Sequence, residues 1–194
     1  MGNGQQPHGP YISTITMSNP LTFSDKKLVD SPIVGAEGAV HYTTSTTHGF
    51  RGRKITTIMA ASGIVGVIDW RKKTFAINGV QRDWDDLKER SGGIFSSERE
   101  WNWANRPYNL KYHHSHKELL ATPNFGNSAG AVRFTIYEHH LLHGNDPAVI
   151  YFPHAMQDEG ERMFLLMAIL QTEMHRQDQV QSTRNAGVIA AAGS

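Results

Sequence analysis

Aromatic, acidic, basic and amide side chains interleave most densely between Ser97 and His116, in the run Ser-Glu-Arg-Glu-Trp-Asn-Trp-Ala-Asn-Arg-Pro-Tyr-Asn-Leu-Lys-Tyr-His-His-Ser-His. One chemistry such a mixture could carry is cleavage of an N-glycosidic bond, which needs three kinds of group held together. Aromatic faces must grip an unstacked base. A carboxylate must stabilise the oxocarbenium-like sugar, as in glycoside hydrolysis. A proton donor must assist the departing base. Within the run, Tyr108, Tyr112 and Trp103 can grip, Glu98 or Glu100 can stabilise positive charge, and Arg106 or His114 can assist departure. Glu98, Glu100, Arg106, Tyr108 and Tyr112 are therefore the catalytic candidates, with Trp103 and His114 as binding groups. The competing reading is that the Trp and Tyr residues fill a core while the charges face water, which is the usual fate of aromatics in alternating strands.

Cations concentrate in two other places, Arg51-Gly52-Arg53-Lys54 and Arg71-Lys72-Lys73. Both sit beside expected hairpin ends. A shared rim of Arg51, Arg53, Lys54, Arg71, Lys72 and Lys73 would hold the phosphates of RNA or of an anionic lipid; ordinary solvated turns are the alternative. The chain has 11 histidines, some grouped as His113, His114 and His116 and others as His139, His140 and His143. Three imidazoles can hold zinc with a position left open, but no His-Glu-x-x-His spacing is present, so no metal or other cofactor is expected. The Gly-punctuated Ser62 to Gly66 lacks the Lys-Ser/Thr ending of a phosphate loop.

These groups need a scaffold. A chain of 194 residues is long enough to bury a sizeable core. Its net charge of +1 neither demands nor forbids a nucleic-acid partner. Cysteine is absent, which excludes disulfides and thiolate metal sites and fits a reducing, cytoplasmic setting. Nothing at the N-terminus reads as a secretory signal. Residues 1–18 read as a disordered leader, 19–179 as one β domain and 180–194 as a flexible tail.

Strands are expected at Leu21 to Phe23, Ala39 to Thr44, Ile55 to Ala60, Ile64 to Trp70, Thr74 to Ile77, Glu100 to Asn105, Tyr108 to His116, Ala131 to Glu138 and Ala148 to Phe152. Asn78-Gly79 is the strongest short hairpin signal. Trp84 to Arg90 reads as one or two helical turns after Asp83, and His139 to Pro147 as a loop. Late in the chain, the unbroken apolar run Met163 to Leu170 lies inside a helix-favouring stretch from Met156 to Gln179. A helix that is apolar all round must be buried all round, and this run is too short for a bilayer, which takes about 20 residues. An antiparallel β-barrel or sandwich around a buried C-terminal helix hides it.

The segments Asn19-Pro20-Leu21, Val40 to Thr44, Ile64 to Trp70, Trp101-Asn102-Trp103, Ala131 to Phe134 and the closing helix resemble a family of basidiomycete fungal proteins of unknown function. That family looks like the tubby-like and LURP-one-like barrels, and the resemblance spans roughly Pro20 to Asp178. It implies a closed sheet around the last helix. Where the family carries a basic residue after its aromatic-x-Trp step, this chain has Ala104. In size, composition and lack of a signal, the chain is also similar to mushroom ribosome-inactivating proteins of the edodin and calaegerin type. That second resemblance implies a toxin, a ribosomal RNA N-glycosylase acting on the ribosome. Two expectations follow: an RNA N-glycosylase releasing adenine, or a non-catalytic tubby-like module binding anionic lipid or a protein partner.

Overall fold

The computed structural model describes residues 20–50, 52–90, 98–104, 106–125, 130–138 and 145–192, with side chains described through 183 except at 90. The whole leader (residues 1–18), Arg51, His139, His140 and His143 lie outside the described residues. The protein is mainly β. Among the described residues there are 13 strands: β1 (Leu21–Phe23), β2 (Pro32–Val34), β3 (Val40–Gly49), β4 (Gly52–Ala60), β5 (Val65–Asp69), β6 (Thr74–Ile77), β7 (Val80–Asp83), β8 (Lys88–Arg90), β9 (Arg99–Asn102), β10 (Pro107–His113), β11 (Glu118–Pro123), β12 (Val132–Thr135) and β13 (Val149–Tyr151). A short helix, α1 (Trp84–Leu87), joins β7 to β8, and a long one, α2 (Glu159–Ala192), follows β13.

Every pairing is antiparallel and the strands form one sheet, ordered β7-β6-β5-β4-β3-β2-β1-β13-β12-β11-β10-β9-β8. Two meanders run outward from the middle, where β1 pairs with β13 (Leu21 opposite Ile150). The ladder is not closed into a barrel: it stays open between β7 and β8, which α1 connects. Both open edges carry charge, Arg82 and Asp83 on β7 and Lys88, Glu89 and Arg90 on β8, a common defence of edge strands against further pairing. The two ends nevertheless come round to face each other. Phe75 on β6 stacks on Trp101 of β9 with centroids 5.4 Å apart and planes at 14°.

Inside this curl lies α2. Every side chain from Met163 to Leu170 is at most 1 % exposed. The helix packs on β5 and β6 from one arm and on β11 from the other, so the apolar run is enclosed on all sides as its composition demands. Phe164 meets Phe75 at 6.5 Å and Trp101 at 6.4 Å, which ties the helix to both ends of the sheet. Gly66 on β5 lets the helix come close: a Cβ there would sit 2.5 Å from Met163 Sδ and 2.9 Å from its Cγ.

The expected strands are present apart from their ends, and β2, β7, β8 and β11 are additional. Asn78 (φ 48°) and Gly79 (φ 84°) form the tight β6–β7 turn, with Ile77 opposite Val80; both torsions positive is the geometry that selects Asn-Gly. The expected helix over Trp84 to Arg90 stops at Leu87, because Lys88 onward pairs with β9. The strand expected through His116 ends at His113, so His114 and His116 lie in the turn before β11. The last helix starts at Glu159 rather than Met156 and continues to Ala192, through residues expected as a tail. No helix among the described residues is long and apolar enough to cross a membrane.

Two core substitutions test this packing. Leu166→Ala removes a side chain with no exposed surface and should cost about 2–5 kcal/mol. Gly66→Val adds bulk against Met163 and should cost roughly 1–3 kcal/mol. Equilibrium urea unfolding monitored by circular dichroism reads both; loss of less than half a kilocalorie at Leu166 would contradict an enclosed helix.

Candidate active site

The first turn of α2 is held by three different elements. Asp158, immediately before the helix, accepts hydrogen bonds through Oδ1 from the backbone N–H of Gly160 (2.8 Å) and Glu161 (3.2 Å), a side-chain N-cap. Tyr42 on β3 donates its hydroxyl to Glu159. Tyr108 on β10 donates its hydroxyl to Glu161 Oε1 at 2.6 Å. The two tyrosines come from opposite arms of the sheet, so the helix start is pinned from both sides.

Around Glu161 a cavity of about 520 Å³ opens, lined by Trp103, Arg106, Tyr108, Asp158, Glu161 and Phe164 among others. Arg106, just before β10, donates from Nη1 to both carboxylate oxygens of Glu161 at 3.1 Å. The Glu161 side chain is 15 % exposed and that of Arg106 is 61 % exposed. The carboxylate is thus set back in the wall, and the guanidinium stands at the mouth. Trp103, half-buried after the end of β9, leans on Phe164 at 5.8 Å and receives the Arg82 guanidinium over its ring at 5.1 Å. Arg82 also donates to the Trp103 carbonyl at 2.5 Å. The indole is therefore fixed by a backbone contact as well as by packing.

The phenols are shifted by their setting. Burial first, then the Glu161 carboxylate, pushes the Tyr108 hydroxyl well above the ordinary tyrosine range. Burial and Glu159 do the same, more strongly, for Tyr42. Both remain protonated donors across the physiological range.

The structure brings together three residues singled out in the sequence, Trp103, Arg106 and Tyr108, and adds Glu161. It does not bring Glu98 or Glu100 to them. Strand alternation on β9 puts Trp101 inward and Glu98 and Glu100 on the opposite face. There Glu98 pairs with Lys111 and accepts from Asn109 at 3.3 Å, contacts that hold its carboxyl below the ordinary glutamate range, while Glu100 accepts from Asn124 at 2.5 Å. Tyr112, four residues beyond Tyr108 and so roughly 13 Å along the strand, lies under the Arg176 guanidinium (5.2 Å) with His114 edge-on at 4.8 Å. Both line a different cavity, nearer the other end of the helix. Tyr108 itself is only 2 % exposed, so its ring is core and its hydroxyl is the part that serves the cavity.

The basic rim divides as well. The β3–β4 and β5–β6 turns lie side by side, with Arg71 against Gly49. Lys54, Arg71, Lys72 and Lys73 are exposed. Arg53 is engaged, paired with Asp178 and stacked over Trp70 at 5.1 Å. Among the described residues no group of three His, Asp or Glu side chains is placed to hold a metal ion. Sequence reasoning passed over Glu161, using it only as a helix former. A glutamate in the helix turn that precedes the apolar run Met163 to Leu170 was the available signal, since that turn lies at the end of the enclosed core. Comparison with protein-family models, curated proteins and solved structures finds no match.

The phenol shifts carry a sign. Each folded phenol holds its proton more tightly than an unfolded one, whose pKa is about 10. The stabilisation from Tyr42 and Tyr108 is therefore complete below about pH 10 and is lost progressively as pH rises above it. Melting temperature should fall more shallowly above that pH in Tyr108→Phe than in the parent; parallel curves would mean that the hydroxyl is not held as described.

Proposed function

We propose that the protein is an RNA N-glycosylase whose reaction takes place in the cavity at the start of α2, releasing adenine from ribosomal RNA. The supporting observation is the set-back Glu161 carboxylate, fixed by Tyr108 and Arg106 in a cavity that Trp103 also lines. An adenosine in this cavity would have the Trp103 indole and the Glu161 carboxylate in its walls. As the C1′–N9 bond breaks, its electron pair leaves on the base and positive charge grows on the sugar, where Glu161 stabilises it. Arg106, at the mouth, faces the departing base and offsets its negative charge. A water oxygen then bonds to C1′; one of its protons ends on the base and the other stays on the new hydroxyl. Tyr108 is a positioning residue: its hydroxyl holds Oε1, while Arg106 reaches both oxygens. The exposed Lys54, Arg71 and Lys72 are the surface on which RNA phosphates would rest.

Adenine released from ribosomes and measured by chromatography tests this. Glu161→Gln should lower the rate about 100-fold or more. Arg106→Gln should lower it about as much, and Tyr108→Phe less. Glu98→Gln and Glu100→Gln, on the far face of the sheet, should keep the parent rate. A folded Glu161→Gln variant at full rate would place the chemistry elsewhere.

One observation favours a second reading, a non-catalytic module for anionic lipid. Phe50, at the tip of the β3–β4 hairpin, is fully exposed and stands among the cations of the two adjacent turns, a combination suited to a lipid interface. If the parent releases no adenine yet binds vesicles of phosphatidylcholine and phosphatidylserine in a Phe50-dependent way, this reading replaces the first.

A further inference from the structure

The mouth of the cavity at the start of α2 has one more aromatic residue beside it. Strand β11 runs antiparallel to β10, with Pro123 opposite Tyr108. The ladder goes one step further, where the Asn124 N–H donates to the Pro107 carbonyl at 3.0 Å. The next step of that register sets Phe125 across from Arg106, which lines the cavity. Alternation decides the face. The Asn124 amide donates to Glu100 at 2.5 Å, on the outer face of the sheet. Phe125, one residue on, is thereby assigned to the face of Pro123 and Tyr108, the face on which the cavity lies.

Phe125 is 77 % exposed. Its ring is no part of the core, and replacing it costs the fold little. Scattered exposed apolar side chains need no explanation. This one is set apart by its place, next to a cavity that Trp103, Arg106 and Glu161 line, and by the two hydrogen bonds that hold the residue before it. Taking a base out of its strand and into a pocket costs that base and its neighbours their stacking. An aromatic face at the mouth offers the neighbouring base a new partner. Trp103 is packed on Phe164 and covered by Arg82, so it serves as a wall inside. Phe125 stands outside and is open to the next base.

We propose that Phe125 is a substrate-binding residue of this site: the base next to the target adenine stacks on its ring while the adenine occupies the cavity. The inference rests on the adenine-release reading and adds a substrate class to it, a nucleotide strand in preference to a free nucleoside. A lone adenosine has no second base to place there and gains nothing from Phe125. Stacking reads no hydrogen-bond pattern, so the ring accepts any neighbouring base, and a strongly stacking purine most readily.

The test uses the full chain and the RNA trinucleotide guanosine-adenosine-guanosine, beside the same trinucleotide with both guanines removed to leave abasic riboses. Adenine release is measured by chromatography, and binding by fluorescence anisotropy of the end-labelled trinucleotide. In the parent, KM should be about tenfold lower with the guanines than without them. Phe125→Ala should erase that difference by raising KM for the guanine-bearing substrate about tenfold, with kcat unchanged, and Phe125→Trp should restore it. Met59→Ala, at an exposed position on the outer face of β4, should leave both constants at the parent values. A parent without preference for the guanines, or a Phe125→Ala variant that keeps the preference, overturns the proposal and leaves adenine release standing. Trinucleotide binding that Phe125→Ala weakens about tenfold supports the stacking role even where ribosomes release no adenine, in which case the adenine-release reading falls alone. Neither binding nor release with the trinucleotide overturns the proposal, while the ribosome assay decides adenine release on its own.

Discussion

The enclosure of one helix segment governs this molecule. Met163 to Leu170 offers no polar face for two turns, so no single sheet surface can satisfy it. The sheet has to curve until both arms touch the helix, and the aromatic contacts of Phe75, Trp101 and Phe164 mark where the arms meet. Curvature of that degree brings β7 and β8 near each other without pairing them. The same requirement that buries the helix therefore creates the seam.

The start of the helix and the stretch past its apolar run have different chemistry for a simple reason. At its start the helix exposes backbone N–H groups, and these are met by Asp158, with Glu159 and Glu161 in the same turn. Acid gathers there, and the arms answer with tyrosine hydroxyls and Arg106. Past the apolar run, β8, β9 and the β5–β6 turn bring Lys88, Arg99 and Lys73 toward the middle of the helix, where charge is not set by an exposed terminus. Glu173 is almost wholly buried there, but Arg176 and Gln177 on its own helix satisfy it (2.7 and 2.8 Å).

Much of the scaffold could be read from the chain. The β-branched and aromatic runs became strands, Asn78-Gly79 became the turn its torsions require, and the apolar run became the enclosed helix. The missed strands have weak local signals: β7 is Val-Gln-Arg-Asp and β8 Lys-Glu-Arg, polar sequences held in extended form by pairing rather than by propensity. The candidate site was half legible. Trp103, Arg106 and Tyr108 are close in sequence and do converge. Closeness misled for Glu98 and Glu100, because a strand sends alternate residues to opposite faces. It also misled for Tyr112, because length along a strand is distance in space. Glu161 was invisible to any local reading, since it is 53 residues from Tyr108 and only the completed fold joins them.

The pairing of β1 with β13 has a consequence for how the chain reaches this state. All other neighbours in the sheet are neighbours in sequence, so two meanders can zip up locally, each from its own hairpins. Their union waits for β13, and their shared filling waits longer still, for α2. Until that helix arrives, the inner faces of both arms, Ile58, Ile68 and Phe75 on one and Leu110, Leu119 and Phe134 on the other, have nothing to lie against. Contacts of such long sequence separation form slowly, and exposed apolar sheet invites association in the interval. The molecule is thus a protein whose core is delivered last, and its yield in the cell depends on how the half-made sheet is kept apart from its copies.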